Sequence, residues 1–361
     1  MKKLLNFIAV IIALVIATVL VASAYAGTVS PEKSTVPALL AMIFPIVAPV
    51  AVIAAICLAF LKRAASLILV ATLLISLPTL LTYFPLNFST KSGRPSFSVM
   101  TYNVANLTDF ASKGKTPESN PTIRFILDQS PDIAALQECA TFASSRETAV
   151  SPSLLDSLFK AYPHHTNGAE GQALLSRFPF EEINLHHPPR HNFQVRAYRI
   201  YAPADTFTLF NLHLKSIGLS EEDKTLYKDL TKGKTEGEGI KQELKEIRSS
   251  LISKLSAAFK VRAQHAALVK EMIDSIGGKV IVCGDFNDVP GCYAIRTIES
   301  AGLKDAYRES ALGFAITFHE DRFYFRIDHI LYRGFTPLRT RRIKVPYSDH
   351  YPLFATFSPQ K

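Results

Sequence analysis

Tryptophan is missing from the 361 residues, and cysteine is scarce. Without Trp, and with a polar rather than aromatic stretch at 220–241, no loop stands out as one that docks on lipid. The four cysteines, Cys57, Cys139, Cys283 and Cys292, contain no CxxC pair. Cys57 lies in an apolar run and the remaining three are an odd number, so no disulfide framework is expected. Cys139 and Cys283 end apolar strands, where a buried thiol acting as a small hydrophobe is the expectation. No internal repeat, low-complexity block, helix-turn-helix or zinc module is present.

The most informative absence is local. Residues 4–26, 36–61 and 64–84 carry no charged side chain, and each is long enough for a hydrocarbon core that needs about 20 apolar residues. Only "GTVSPEKST" and "KR" separate them, which leaves no polar face for a soluble bundle. Three membrane spans within residues 1–84 are therefore expected. Lys2 and Lys3 precede the first run, Lys62 and Arg63 separate the second and third, and the first loop holds only Glu32 and Lys33. Positive flanks stay inside, so everything after residue 84 is expected on the extracytoplasmic side. Ala24-Tyr25-Ala26 before Gly27 resembles a signal-peptidase site, but the run exceeds the 7 to 15 apolar residues of a signal peptide, so a retained span is favoured. Cleavage would leave the same orientation.

Residues 85–96, "PLNFSTKSGRPS", read as a linker. Residues 97–361 are long enough for one large domain. The formal charge of +9 divides into +4 for residues 1–90 and +5 for the rest, a mild basic excess that suits an anionic partner without demanding one.

Strands are expected at 97–105, 132–138, 172–176, 194–201, 206–212, 279–283, 326–332 and 352–357, with a helix at 122–129. A segment from 239 to 276 keeps a helical apolar period up to Gly277-Gly278, a normal helix stop. As one rod it would be about 57 Å long, so it must break or protrude. The charged stretch before it, "LSEEDKTLYKDLTKGKTEGEGIK", reads as a solvated insertion. The interleaving of strands and helices indicates an α/β domain.

Several apolar strands run directly into polar clusters: "MTYNVAN" at Asn103, "ALQEC" at Glu138, "FNLHLKS" at His213, "VCGDFND" at Asp285 and Asn287, "FRIDHIL" at Asp328 and "PYSDHYPL" at Asp349 and His350. Singly, each has a dull reading as a cap, a turn or a structural histidine. Together at one rim of a sheet they would form the oxygen-rich site that a hard cation such as Mg²⁺ prefers, with imidazoles to donate and accept protons. That is an inventory for hydrolysing a phosphate ester.

In these motifs and their order the chain resembles the metal-dependent endonuclease/exonuclease/phosphatase superfamily over about residues 97–357, "GDFN" and the terminal "SDH" being the most specific marks. The resemblance implies a four-layer α/β sandwich, two mainly antiparallel sheets face to face with helices outside, and a site at one end of the sheets. It further implies a Mg²⁺ or Mn²⁺ cofactor held by Glu138, with Asn103 beside it and Asp349 a further candidate. By the same resemblance Asp285 would orient or deprotonate the attacking water, Asn287 would hold phosphate or that water, and His213 would donate to a phosphoryl oxygen. His350 would stand near the scissile phosphate with Asp328 on its other ring nitrogen. Whether Asp285 or His350 takes the proton is left open.

Lys215 and Arg326 are candidate phosphate contacts. Asp288 is expected to be a turn residue, and His329 to pack in the core. The His pairs 164–165 and 186–187 lack further ligands at fixed spacing. "LRTRRIK" at 338–344 reads first as a solvated strand face and second as a polyanion-steering cluster. The expected partners are a phosphate-ester substrate (a lipid head group, a nucleic acid or a small phosphodiester) and the membrane, with no protein partner. The leading expectation is a membrane-anchored phosphoesterase; an extracytoplasmic nuclease and a catalytically silent anchored module are the alternatives.

Overall fold

The computed structural model describes residues 2–88, 96–107, 119–140, 149–185, 193–203, 205–218, 238–320 and 324–360. The expected solvated insertion falls outside these up to residue 237, as do His186 and His187. Four helices come first: α1 (Lys2–Tyr25), α2 (Val36–Leu61), α3 (Arg63–Ile75) and α4 (Leu77–Tyr83). Among the described residues, α1 and α2 are long and apolar enough to cross a membrane. The third expected span is bent by 69° between α3 and α4. Pro78 opens α4 one residue after the break, where its missing N–H and fixed φ favour a new start over a continued helix.

The rest of the chain builds two six-stranded sheets. The strands are β1 (Phe97–Asn103), β2 (Ile133–Gln137), β3 (His164–His165), β4 (Gln172–Ser176), β5 (Phe180–Ile183), β6 (Gln194–Ala202), β7 (Asp205–His213), β8 (Val280–Asp285), β9 (Lys304–Asp305), β10 (Asp328–Arg333), β11 (Phe335–Arg342) and β12 (Leu353–Pro359). One sheet has the order β11-β12-β1-β2-β4-β3 and the other β5-β6-β7-β8-β10-β9. Helices α5 (Pro121–Gln129) and α6 (Pro152–Ala161) cover the first sheet, and α7 (Glu238–Ile276) with α8 (Tyr293–Glu299) cover the second. The expected four-layer α/β sandwich is what the chain forms.

Strands buried on both faces explain the continuous apolar runs. In β8, Ile281 and Cys283 point into the core between the sheets, while Val280 and Val282 meet the helix layer. In β2, Ile133 and Ala135 face the other sheet, and Ala134 and Leu136 face α5 and α6. Cys139 and Cys283 are buried small hydrophobes, as expected.

Each sheet is antiparallel apart from one central parallel pair, β1 with β2 and β7 with β8. Parallel neighbours finish at the same rim, so Asn103 lies beside Gln137 and His213 beside Asp285 in register. Antiparallel β10 starts where β8 ends, pairing Asp328 with Asp285. This topology gathers scattered polar strand ends at one place. Below them, between the sheets, Gln137 Nε2 donates to Asn211 Oδ1 at 2.7 Å, and Asn211 Nδ2 returns to the Leu136 carbonyl at 3.0 Å. These buried amides fix how the two sheets sit against each other.

The helix α7 runs unbroken for 39 residues. Its C-terminal half buries Phe259, Ala266, Val269 and Ile273, and Leu255 and Phe259 pack against Ala38 of α2. The N-terminal helices are thus seated on the sandwich. Arg296 donates to the Ala24 carbonyl at 3.1 Å, and Arg326 donates to the Thr82 carbonyl at 3.0 Å. Both acceptors lie in the last turn of a helix, where carbonyls lack intrahelical partners and the helix dipole favours a cation. Gly27 lies so close to the second lobe that a Cβ there would stand 1.8 Å from the Gly291 oxygen.

Candidate active site

Asp285, at the end of β8, is the hub. Its position depends on Gly284, whose φ of +143° and close approach to β7 admit no side chain: a Cβ would lie 2.0 Å from the Leu212 oxygen. Asp285 Oδ1 accepts the Asn287 N–H at 2.8 Å, and Oδ2 accepts Asn103 Nδ2 at 3.1 Å. Asn287 adopts φ +53°, which Asn tolerates better than most residues; its amide donates to the Leu214 carbonyl at 3.0 Å.

His350 lies between two carboxylates. Nδ1 is 2.9 Å from Asp328 Oδ2, and Nε2 is 3.6 Å from Asp285 Oδ2. Burial opposes its charge, but Asp328 and Asp285 outweigh burial and push the imidazole up to about 10. Burial raises Asp285 above the ordinary carboxylate value, against the pull of His350. The pair therefore holds a proton at neutral pH, and we place it on the imidazole because two acids flank that one base.

Glu138 leaves β2 with φ +48°, an uncommon conformation for a residue with a side chain, and lines the same cavity. Its Oε1 accepts Asn103 Nδ2 at 3.0 Å. Asn103 thus bridges Glu138 and Asp285, while its oxygen accepts the Ala105 N–H at 3.1 Å. Asn103, expected beside Glu138 at the metal, turns its nitrogen toward the two carboxylates. Two carboxylate oxygens within hydrogen-bond reach of one amide repel each other, and hard oxygen donors so placed suit a divalent cation such as Mg²⁺. The site residues therefore fit a metal, with Glu138 and Asp285 as its natural holders.

A second grouping also has metal-like spacing: among the described residues, ligand atoms of Asp285, Asp328 and His350 all lie within 4.8 Å of one another. Within that grouping Asp328 Oδ2 and His350 Nδ1 are already hydrogen-bonded to each other at 2.9 Å. Asp349 lines the cavity and accepts the Ser348 hydroxyl at 3.1 Å.

His213, at the end of β7, turns Nε2 toward Glu138 Oε1 at 3.7 Å and Asp285 Oδ2 at 3.9 Å. Its Nδ1 lies 2.8 Å from Gln194 Oε1, and Gln194 Nε2 donates to the Glu170 carbonyl. The amide oxygen therefore faces the ring, so Nδ1 carries a proton. Nε2 can then donate to a phosphoryl oxygen only as part of an imidazolium.

The cavity beside these groups has a volume of about 260 Å³ and is lined by Glu138, His213, Asp285, Asn287, Asp349 and His350. Four of the six strand-end clusters named from the sequence thus face one cavity; of the other two, Asn103 bridges Glu138 and Asp285, and Asp328 stands directly behind His350.

Other expectations need correction. Arg326 is buried away from the cavity, paired with Asp305 at 2.9 Å and capping α4, so it is no phosphate contact. Burial works against the charge of Asp305, yet Arg326 and His329 outweigh it and hold the carboxyl below the ordinary value. His329 packs in the core as expected, fully buried against the Phe286 ring, and it also reaches the Asp288 carbonyl at 3.0 Å and Arg326 at 3.3 Å. Lys215 is not among the cavity-lining residues; its carbonyl accepts Arg262 at 2.9 Å. Asp288 is more than a turn residue, for its Oδ2 lies 3.5 Å from the Arg262 guanidinium at the cavity wall. In "LRTRRIK", Arg341 and Arg342 lie over the rings of Phe354 and Tyr351, and none of these basic residues lines the cavity. His165 stacks on Phe159.

Sequence reasoning missed Arg262, Gln194 and Met42. Arg262 interrupts the apolar period of α7 with a charge, which was the available signal. Gln194 and Met42 carried none, because only the fold brings them to His213 and to the cavity.

Residues 100–350 match the model of the Endonuclease/Exonuclease/phosphatase family, and residues 2–83 match that of a domain of unknown function. No curated protein matches the chain. Among solved structures, the human Nocturnin catalytic domain is 18% identical with a TM-score of 0.49, covering 76% of this chain and 97% of that one. An endonuclease/exonuclease/phosphatase from Beutenbergia cavernae is 16% identical with a TM-score of 0.48, over 74% of this chain and 72% of that one. A Bacteroides thetaiotaomicron mannosyl-6-phosphatase is 18% identical with a TM-score of 0.45, over 72% and 99%. With its family model matched across most of its length, the chain belongs to the endonuclease/exonuclease/phosphatase family, divalent-metal-dependent hydrolases of phosphate esters.

Proposed function

We propose that this protein is a membrane-anchored phosphoesterase that uses Mg²⁺ or Mn²⁺ to hydrolyse a phosphate ester on the extracytoplasmic side. The observation that carries the reading is the convergence of Glu138, Asp285, His213 and His350 on one cavity, with Asp328 hydrogen-bonded behind His350.

Glu138 and Asp285 would hold the metal, which when bound supplies positive charge to a phosphoryl oxygen. The remaining work falls to side chains. Asp285 accepts a hydrogen bond from the attacking water and aims its oxygen at phosphorus. The gap of 3.6 Å between Asp285 Oδ2 and His350 Nε2 is too long for a good direct hydrogen bond, so both groups can address the reacting atoms. Asp328 orients the His350 ring and keeps it charged, so Nε2–H donates to the phosphate as charge builds there. Water oxygen bonds to phosphorus, the ester oxygen departs, and it acquires the proton the water loses. His213 and Asn287 complete the ring of donors.

The anchoring reading rests on α1 and α2 and on charge: Lys2 and Lys3 start α1, and Lys62 and Arg63 follow α2. The sandwich touches the opposite ends of these helices, at Ala24 of α1 and Ala38 of α2. An inside-positive arrangement therefore puts the catalytic lobe outside.

The test uses purified full-length protein with a panel of DNA, RNA, phospholipids, inositol phosphates and bis(p-nitrophenyl) phosphate, with Mg²⁺ and with EDTA. Hydrolysis that appears with metal and disappears with EDTA is expected; turnover that ignores EDTA contradicts the reading. A reporter fused after Lys361 is expected to be active only on the extracytoplasmic side.

A further inference from the structure

We infer that the substrate of this site is an amphiphile of the same membrane, a lipid whose phosphate ester enters the cavity while its chains stay in the bilayer. The inference rests on the phosphoesterase reading above and adds the substrate class.

The cavity wall is shared between the catalytic lobe and the anchor. Met42 of α2 lines it together with Glu138, Asp285 and His350. Met42 is six residues into α2, about 9 Å along the helix axis at 1.5 Å per residue. The wall of the site therefore reaches the level of the apolar span. This face is tightly joined: Ala26, Ala41 and Met42 pack with Val289, Cys292, Phe325 and Ile327, and Ala38 and Met42 pack with Ile217, Leu255 and Phe259.

The cavity wall combines two chemistries. Carboxylates and imidazoles line it together with Met42, Ile217, Val289, Phe325 and Ile327, which belong to the apolar clusters between α2 and the sandwich. Arg262, 1% exposed, stands in the wall as well, its Nε ion-paired with Asp288 Oδ2 at 3.5 Å. A buried guanidinium beside an apolar wall suits a phosphate oxygen attached to an apolar body. At about 260 Å³ the cavity holds a phosphorylated head group and its linker; it is smaller than the roughly 300–1,000 Å³ that encloses a drug-sized ligand, so acyl chains must lie outside. Beyond Met42 on α2, Ile43 and Ile46 are exposed apolar residues that offer those chains a lipid-like surface. A nucleic-acid strand is the poorer occupant, because its neighbouring phosphates would call for a basic groove, whereas among the described residues Arg262 alone of the lysines and arginines lines the cavity.

The test compares substrates in pairs with detergent-solubilised full-length protein and Mg²⁺. Phosphatidylglycerol, phosphatidylethanolamine and phosphatidic acid in mixed micelles are each set against the deacylated glycerophosphate compound. A single-stranded oligonucleotide and bis(p-nitrophenyl) phosphate complete the set. For at least one pair, kcat/KM is expected to be at least tenfold higher for the lipid. Met42→Gln should lower that lipid-to-soluble ratio several-fold, and Met42→Leu should retain it. If bis(p-nitrophenyl) phosphate is hydrolysed but no lipid outruns its deacylated form, or the oligonucleotide outruns every lipid, the amphiphile inference is overturned and the phosphoesterase reading stands. If nothing is hydrolysed, both fall.

Discussion

His350 Nδ1 and Asp328 Oδ2 lie 2.9 Å apart at the back of the cavity, and the opposite ring nitrogen faces Asp285. Two buried carboxylates thus flank one imidazole. The arrangement makes a lasting cation out of a residue that is ordinarily half neutral near pH 6.5.

Asp328→Asn separates charge from shape. The amide keeps the size of the side chain but removes the negative charge that, with Asp285, overcomes burial at His350. The His350 ring, followed by NMR in EDTA, is expected to titrate well below its wild-type value. With metal present, kcat should fall about 10²- to 10⁴-fold, the range for losing a positioned acid–base group. An unchanged His350 titration would show that Asp328 does not hold the charge.

Stability should carry the same signature in metal-free protein. The folded-state value of His350 is raised to about 10 from 6.5, so its contribution is complete below pH 6.5 and is lost as pH rises toward 10. The raised value of Asp285 acts in the same direction, beginning above pH 3.8. Urea unfolding in EDTA should show wild type losing more stability between pH 6.5 and 10 than His350→Asn. Equal losses would contradict the linkage.

Metal binding should raise stability in proportion to ligand. A metal that binds only the folded state adds about 2.7 kcal/mol at a hundredfold excess over its Kd. Glu138→Gln should keep the metal-free Tm near wild type, because Glu138 is half exposed at the cavity, and should shrink the Mg²⁺-induced rise. A full rise in that variant would move the metal away from Glu138.

Arg326 tests the separation of architecture from chemistry. Removing it as Arg326→Met strands the buried Asp305 carboxylate and uncaps α4, a loss of about 3–5 kcal/mol for a broken buried pair. Protein that remains folded in the cold should keep near-normal KM for bis(p-nitrophenyl) phosphate. A large rise in KM with unchanged stability would restore Arg326 as a substrate contact.

Much of this was legible in the chain. Apolar strands such as "KVIVCGD" announce themselves because both of their faces are covered, and the polar residues at their ends stand out against that background. Parallel pairing of β7 with β8 then brings His213 and Asp285 side by side. Other features were not legible, for a physical reason. Arg326 sits two residues before Asp328, and no local pattern says that its guanidinium turns to the Thr82 carbonyl, 244 positions earlier in the chain. The unbroken course of α7 was equally hidden, since its length is accommodated by α2, an element that reads as a separate membrane segment.

The most direct measurement is Mg²⁺-dependent hydrolysis of bis(p-nitrophenyl) phosphate by full-length wild type, Asp285→Ala and His350→Ala, each checked for native circular dichroism. The account predicts turnover for wild type and a loss of at least a thousandfold in both variants. Wild-type turnover in both variants would contradict it.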